Sequence, residues 1–257
     1  MVSGNEGSAL KEVITSTANA QVKAWSRLKM KKGRDESGLF IVEQPHMIQE
    51  AISAGTIQRL LIRQGSPNPY GLAATEVSAA VMDKLSENVS DNIQLAICRI
   101  PQREPAAMNR SIILQDVQDP GNVGTIIRCA VAFGYDAVFL DDGCADVYGF
   151  KAVSASQGAL FRIPVIRQPI IQTFSQLRKF DVTLVATTPH QAQMLQSSPL
   201  PDRYALVFGN EGQGLTESAI AECDIRVAIE MEGFESLNVA AAAAVCAYYF
   251  RYAPRKQ

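Results

Sequence analysis

The feature that most constrains the fold of this chain is the alternation of short apolar runs with helical patterns. From residue 111 onward, strand-like runs occur at 111–116, 137–140, 182–186, 205–208 and 225–229. Helical patterns separate them at 123–133, 172–179, 216–221 and 237–251. Such alternation predicts an α/β fold with a mostly parallel sheet covered by helices on both faces. Ligands of these sheets bind beyond the carboxyl ends of strands, so we expect chemistry in the loops after residues 116, 186, 208 and 229.

A smaller α/β domain is predicted over residues 14–100. Helical patterns occur there at 14–30, 46–54 and 79–85, and strand patterns at 39–42, 60–62, 75–78 and 94–98. The polar residues 1–13 are expected to form a flexible N-terminus. Residues 101–110 are polar, contain two prolines and have few strand formers, so we interpret them as a linker to a second domain, 111–257.

Composition excludes several classes of protein. Hydrophobic residues make up 47% of the chain and charged residues 19%, which is typical of a globular protein with a buried core. No apolar run reaches the ~18 residues of a membrane span, and no apolar signal core is present near the N-terminus. The five cysteines are odd in number and lack CxxC spacing. We therefore expect a reduced, cytoplasmic protein with no metal and no membrane partner.

A basic run between residues 21 and 34 is a candidate nucleic-acid contact, even though the net charge of the chain is only -2. Local charge matters more than the sum for such contacts. The alternative is an ordinary solvated helix face, and the sequence leaves both open. The candidate RNA-binding residues are Lys23, Lys31, Lys32 and Arg34.

The first candidate site loop is the segment 119–128, directly after a strand. Its Pro120-Gly121 pair indicates a turn, and Asn122 stands at a helix start, where backbone amides can hold an anion. Arg128 falls one to two turns into that helix and can reach back toward the loop. The alternative is a plain strand-turn-helix in which Asn122 is the cap and Arg128 faces solvent.

The second candidate loop follows the strand at 205–208 and carries glycines in a GxxGxG spacing. This is neither the GxGxxG of dinucleotide sites nor the P-loop pattern. Glycine allows a ligand to approach the backbone closely, although a plain tight turn would also explain the pattern. Gly209 opens the loop, and the carboxylate of Glu211 could anchor a ligand or cap the next helix.

The third candidate loop leads from residue 229 into an alanine-rich helix. The run of alanines lets that helix pack closely against neighbouring backbone. Ser236 and Asn238 stand at its N-terminus. Capping of the helix would explain both residues equally well.

Taken together, the three loops resemble the motifs of one enzyme family. N-V-G-T-I-I-R at 122–128, F-G-N-E-G-Q-G at 208–214 and E-S-L-N-V-A at 235–240 resemble the SpoU (TrmH-like) branch of the SPOUT RNA methyltransferases. Segments 151–161 and 163–165 are also similar, so the resemblance covers about 110–252. A weaker resemblance, at 14–19, 22–23, 31–34 and 40–43, is to the L30e-like substrate-binding domain of rRNA ribose methyltransferases.

This resemblance implies a SPOUT-type parallel sheet with a C-terminal trefoil knot, and a homodimer. It implies an enzyme that transfers a methyl group from S-adenosylmethionine to a ribose 2′-hydroxyl of RNA, with large-subunit rRNA as the expected substrate. Arginine is a poor general base, so a positioning and electrostatic role is expected for Arg128. The other implied catalytic residues are Asn122, Glu211, Ser236 and Asn238. The implied cofactor-binding residues are Thr187, Gly209, Ile229, Met231 and Leu237.

Three other functions remain open at this stage. They are a tRNA ribose methyltransferase, an RNA-binding protein of this fold that has lost catalysis, and a non-RNA enzyme with a nucleotide cofactor. The missing GxGxxG and P-loop patterns count against the last. His46 and His190 are isolated in sequence and are expected in surface or core roles. The chain departs from the common family pattern at Gln44, Ser154, Glu230 and Ala240.

Overall fold

The computed structural model describes residues 13–87, 92–232 and 237–254. The chain divides into two compact units, residues 1–100 and 101–257. Most of the predicted flexible N-terminus lies outside the described residues. Within the described ranges, no helix combines the length and apolar content that crossing a membrane requires.

The first unit has four helices and four strands among its described residues. The helices are α1 (Ala20–Ser26), α2 (Lys31–Ser37), α3 (Pro45–Ser53) and α4 (Ala79–Leu85), with a 3₁₀ turn at Arg27–Lys29. The strands are β1 (Leu39–Val42), β2 (Ile57–Arg63), β3 (Ala74–Val77) and β4 (Gln94–Arg99). They form one sheet in the order β1-β4-β2-β3, in which only β2 and β3 are parallel.

The helix predicted at 14–30 is wrong at both ends, because α1 spans only Ala20–Ser26. Ile14 forms a parallel bridge to Val77, because its amide donates to the Glu76 carbonyl and its carbonyl accepts from Ser78. The helix begins only at Ala20, where Asn19 Oδ1 accepts a hydrogen bond from the Gln21 amide at 2.8 Å. A side-chain cap of this kind fixes a helix start more firmly than periodicity does.

The second unit is built on a seven-stranded sheet. Its strands are β5 (Arg110–Leu114), β6 (Ala137–Leu140), β7 (Val165–Arg167), β8 (Thr183–Thr187), β9 (Gln193–Met194), β10 (Tyr204–Phe208) and β11 (Ile225–Ala228). Its helices are α5 (Pro120–Ala132), α6 (Phe150–Ser156), α7 (Ile170–Arg178), α8 (Glu217–Ala221) and α9 (Val239–Tyr252). 3₁₀ turns lie at Ala159–Phe161 and Leu195–Ser197. The strand order is β7-β6-β5-β10-β8-β11-β9.

Every strand pair of this sheet is parallel, as the alternating pattern predicts. The four strands that precede the expected loops, β5, β10, β8 and β11, are neighbours in the sheet. Leu114 is opposite Phe208 and Val207 is opposite Ala186, so these strands end at nearly the same level. The loops that follow them therefore meet at one edge. The implied knot stays a prediction.

A close helix pair positions one of these loops. Gly124 of α5 faces α6, and a Cβ at this position would lie 2.7 Å from the Ala155 Cβ and against the Ala152 carbonyl. Only glycine fits such an approach, so the α5–α6 packing fixes the rotation of α5 about its axis. The side chains of α5 that face the loops are thereby also fixed.

Candidate functional site

A cavity of about 280 Å³ lies at the edge where the four loops meet. This is just below the ~300–1,000 Å³ typical of small-molecule sites. The loops after β8, β10 and β11 and the start of α9 form its walls. All five residues predicted to bind the cofactor line this cavity: Thr187, Gly209, Ile229, Met231 and Leu237.

The loop of residues 209–214, here called the glycine loop, forms one wall of the cavity. The Asn210 amide donates to the Gly214 carbonyl at 3.1 Å, and the Gly214 amide donates back at 2.9 Å. A Cβ at Gly209 would collide with the backbone of Gly214 and Leu215. At Gly212 the nearest atom, Asn210 Oδ1, would be 3.6 Å away. Glycine is therefore a steric requirement at the first of these positions and not at the second.

Asn210 organises the inside of the glycine loop, a role that the sequence analysis missed. Its Oδ1 accepts hydrogen bonds from the amides of Gly212, at 2.9 Å, and Gln213, at 3.1 Å. Its Nδ2 donates to the Asp116 carbonyl at 2.9 Å. The available sequence signal was an asparagine before a glycine-containing turn, since asparagine commonly bonds to the backbone two residues further on.

A second set of hydrogen bonds connects the three motifs directly. Asn122 Nδ2 donates to Glu211 Oε1 at 2.8 Å, and Asn238 Nδ2 donates to Asn122 Oδ1 at 3.0 Å. Asn238 Oδ1 also accepts from the amides of Ala240 and Ala241, which makes it the N-cap of α9. Three predicted catalytic residues thus meet in one chain of contacts. Ser236, a fourth, lies outside the described residues.

Arg128 lies on the exposed face of α5. Its guanidinium makes no hydrogen bond or ion pair with any residue that the structure describes. An arginine side chain without a partner is available to bind a ligand through its planar set of donors, although Arg128 does not itself line the cavity. The structure does not bring Arg128 into the chain of contacts formed by Asn122, Glu211 and Asn238.

The N-cap of α5 is Asp119 and not Asn122, which leaves the Asn122 side chain free to reach Glu211. Asp119 Oδ1 accepts from the Asn122 amide at 3.0 Å, and Oδ2 pairs with Lys151 Nζ at 2.6 Å. The Lys151 hydrogen bond, followed by that of the Asn122 amide, holds the pKa of the Asp119 carboxyl below its usual value.

The charges around the cavity favour a cationic ligand. Glu211 is the carboxylate among the described lining residues, which include neither lysine nor arginine. The rest of the lining is mostly apolar side chains and glycine-loop backbone, a surface suited to a flat ring with polar edges. A phosphate-bearing nucleotide would need cationic partners, so this wall chemistry disfavours the nucleotide-cofactor alternative.

Two other residues lie at the cavity. Thr187 Oγ1 donates to the Val207 carbonyl at 2.8 Å, so its oxygen can still accept a hydrogen bond from a ligand. His190, for which a surface or core role is expected, is exposed and also lines the cavity. The available sequence signal was its position in the loop after the strand predicted at 182–186, one of the four loops in which chemistry is expected.

The basic run of the first unit splits into exposed and buried members. Lys23, Lys31 and Lys32 are exposed, and the last two form helical pairs with Asp35 and Glu36. Arg34 is only 6% exposed, and its Nη1 donates to the Leu28 carbonyl at 2.6 Å. The prediction that Arg34 contacts RNA is therefore corrected: its side chain joins α2 to the turn before it.

The described residues offer no evident site for a metal ion. No group of three or more His, Cys, Asp or Glu side chains in the described ranges is arranged to hold an ion. All five cysteines are free, and Cys98, Cys144 and Cys246 are buried. Burial raises the pKa of each of these three thiols to about 12, which makes them inert at neutral pH.

Comparison with known families assigns both units. The SpoU rRNA Methylase family matches residues 109–248, and the MRM3-like substrate binding domain matches residues 19–94. Each match lies within one of the two compact units.

Similar proteins and structures agree with these matches. The 23S rRNA (guanosine(2553)-2'-O)-methyltransferase RlmP of Bacillus subtilis is 33% identical over 93% of this chain and 98% of its own. The AdoMet-bound rRNA methyltransferase of Sinorhizobium meliloti is 26% identical, with a TM-score of 0.82 over 93% of this chain and 97% of its own. The SpoU methyltransferase AviRb of Streptomyces viridochromogenes, also in complex with AdoMet, is 26% identical, with a TM-score of 0.80 over 90% and 97%.

Proposed function

We propose that this protein, which belongs to the SpoU rRNA Methylase family, transfers a methyl group from S-adenosylmethionine to a ribose 2′-hydroxyl of rRNA. The observation that carries the proposal is the cavity of the second unit. Its walls hold the five predicted cofactor-binding residues and meet the Asn122–Glu211–Asn238 contacts at the carboxyl edge of the sheet.

The cavity residues fit this cofactor. Bound S-adenosylmethionine supplies an electrophilic methyl group on a positively charged sulfur. Glu211 provides a negative charge at the cavity, and the backbone of the glycine loop offers donors and acceptors to polar edges. The apolar side chains of Ile229 and Leu237 suit the faces of a flat ring.

The reaction needs a ribose hydroxyl held in line with the methyl group, so positioning supplies much of the rate. We assign Arg128 to hold and polarise that hydroxyl, because its guanidinium is exposed and has no partner among the described residues. Asn122, Glu211 and Asn238 keep the start of α5 in register with the cavity. Ser236 belongs to the same predicted set.

The test is methyl transfer from radiolabelled S-adenosylmethionine to total RNA from a strain that lacks the gene. We expect label in the large rRNA, recovered as 2′-O-methylnucleosides after digestion. Label in the tRNA fraction would favour a tRNA enzyme. Cofactor binding without label would point to a missing partner or an assembly-intermediate substrate, and no label together with no cofactor binding would favour an inactive RNA-binding protein.

The informative variants are at Arg128. Arg128→Ala should bind the cofactor normally and lose transfer by about a hundredfold or more, as expected for a preorganised donor at the reacting group. Arg128→Lys keeps the charge but not the planar fork and should recover only part of the rate. Full activity of Arg128→Ala would refute the assigned role.

RNA binding by the first unit is part of the same proposal. Exposed Lys23, Lys31 and Lys32 are assigned to phosphate contacts, and the match to a substrate binding domain supports this. Removing one phosphate contact should reduce the steepness of the salt dependence of RNA affinity by about one counterion. A cytoplasmic location is consistent with an rRNA substrate and with the free cysteines.

A homodimer is also proposed, with the outer face of α9 as its contact surface. Tyr248 and Tyr252 are 58% and 52% exposed, and both pack edge-on against Phe133. Exposed aromatic clusters of this kind are typical of protein interfaces. Light scattering should give twice the mass of the chain, and Tyr248→Glu should shift the protein toward the monomer. A wild-type monomer at micromolar concentration would refute the dimer.

A further inference from the structure

Asp116 has an unusual backbone conformation at the carboxyl end of β5. Its φ is 54°, in the left-handed region that most side chains avoid and that aspartate tolerates better than most. The residue stands between the sheet and the segment that leads into α5. A non-glycine residue held in this region requires support from its surroundings.

Four hydrogen bonds with described residues provide that support. The Asp116 amide donates to Asp141 Oδ1 at 3.0 Å, and its carbonyl accepts from Asn210 Nδ2 at 2.9 Å. Oδ1 of its carboxylate accepts from Gln118 Nε2 at 3.0 Å, and Oδ2 accepts from Asn210 Nδ2 at 3.2 Å. Backbone and side chain of Asp116 thus both bind the amide group of Asn210.

Close packing limits the movement of this carboxylate. A Cβ at Gly143 would lie 2.6 Å from Asp116 Oδ1, so the carboxylate occupies the space that a side chain at position 143 would need. The side chain of Asp116 is therefore confined between the backbone at residue 143 and the amide of Asn210.

The held residue, Asn210, organises the glycine loop. Its Oδ1 accepts hydrogen bonds from the amides of Gly212 and Gln213. Both of these residues line the cavity. Glu211 lies between Asn210 and Gly212 in the sequence, and its carboxylate accepts a hydrogen bond from Asn122. Asp116 is therefore connected to the cavity wall through one intermediate side chain, that of Asn210.

We propose that Asp116 is a positioning residue for the glycine loop, and that it keeps Asn210 and the amides of Gly212 and Gln213 in the conformation that binds the cofactor. The proposal rests on the proposed function only for the identity of that cofactor. Asp116 itself does not line the cavity, so its effect on binding must pass through Asn210.

The test compares Asp116→Gly with a matched control, Asp181→Gly. Both aspartates have φ 54°, so glycine removes the same conformational strain at each. The Asp181 side chain makes no hydrogen bond with the described residues, and it precedes β8 rather than following a strand end at the site. A difference between the variants therefore reports the contacts that Asp116 makes at the site, and not the relief of strain at an aspartate with positive φ.

Two readouts decide the proposal. In Asp116→Gly we expect the Kd for S-adenosylmethionine, measured by calorimetry, to rise about threefold to tenfold, the usual effect of losing one or two hydrogen bonds. Amide hydrogen exchange at residues 212 and 213 of the cofactor-free protein should be faster. Asp181→Gly should match wild type within about twofold in both measurements.

Further variants separate positioning from general stability. Asp116→Asn keeps a carbonyl oxygen for Asn210 and should restore most of the affinity. Asp116→Gly should cost little in Asn210→Ala, because the carboxylate of Asp116 then has no Asn210 amide group left to hold. Equal affinity and equal exchange in the two glycine variants would overturn the proposal. If the wild type fails to bind S-adenosylmethionine, the proposed function fails, while the exchange comparison still decides the role of Asp116.

Discussion

Asn238 has two roles that can be separated by substitution. Its Oδ1 caps α9 by accepting from the amides of Ala240 and Ala241, and its Nδ2 donates to Asn122 Oδ1 at 3.0 Å. Asn238→Ala removes both contacts. Asn238→Asp keeps the capping oxygen, adds a favourable negative charge at a helix N-terminus and replaces the donor to Asn122 Oδ1 with an acceptor oxygen.

The expected magnitudes follow from these contacts. Loss of an N-cap costs about 1 kcal/mol of unfolding free energy, which lowers Tm by about 2–4 °C for a unit of this size. Asn238→Ala should show this loss, and Asn238→Asp should stay within about 0.5 kcal/mol of wild type. Methyl transfer should fall in both, by about threefold to tenfold or more, because Asn122 loses a hydrogen bond in each.

Thermal unfolding by circular dichroism and single-turnover methyl transfer would measure the two effects on the same samples. The reasoning is refuted if Asn238→Asp loses as much stability as Asn238→Ala. It is equally refuted if Asn238→Asp transfers methyl groups at the wild-type rate, since the Asn122 contact would then have no part in the reaction.

Three further predictions concern single residues. Gly209→Ala should weaken cofactor binding at least tenfold because its Cβ collides with the returning loop backbone, whereas Gly212→Ala should bind within about threefold of wild type; calorimetry separates them. Arg34→Met should destabilise the protein by about 1–3 kcal/mol in urea unfolding by leaving a buried carbonyl unpaired, and unchanged stability would contradict its buried role. Lys151→Met should cost at most about 1 kcal/mol at pH 7, because the pair with Asp119 is largely exposed. The pair lowers the pKa of Asp119 in the folded state, so its contribution to the free energy of unfolding is fully present above the unfolded pKa of ~3.9. Unfolding measured as a function of pH should show this contribution disappearing as the pH falls through the folded-state pKa of Asp119.

The parallel sheet and its active edge were predictable because strand patterns in this chain are strong and evenly separated. β1, α4 and β6 match the predicted bounds to the residue. By contrast, α2 was missed because Gly33 and charged residues hide any apolar face in 31–37. α6 was missed for a related reason: its buried residues Ala152, Val153 and Ser156 are small and give little periodic signal.

Parts of the candidate site were beyond prediction from one sequence because they depend on contacts between distant residues. Asn122 was considered as a helix cap, but Asp119 takes that position and frees Asn122 for Glu211, 89 residues further along. The burial of Arg34 depends on the turn before α2, which the sequence analysis continued as helix. The neighbouring sequence indicates neither the contact of Asn122 with Glu211 nor the burial of Arg34.

The walls of the cavity come from a late part of the chain, beginning at Thr187 and ending at Ala242 in α9. During synthesis the first unit, complete by residue 100, can fold before any of these walls exists. A nascent chain can therefore present a folded N-terminal unit while it has no place to bind a cofactor. A product cut before α9 would compete with the complete protein for the partner of the first unit and leave that partner unmodified. We expect such truncations to act as inhibitors in cells.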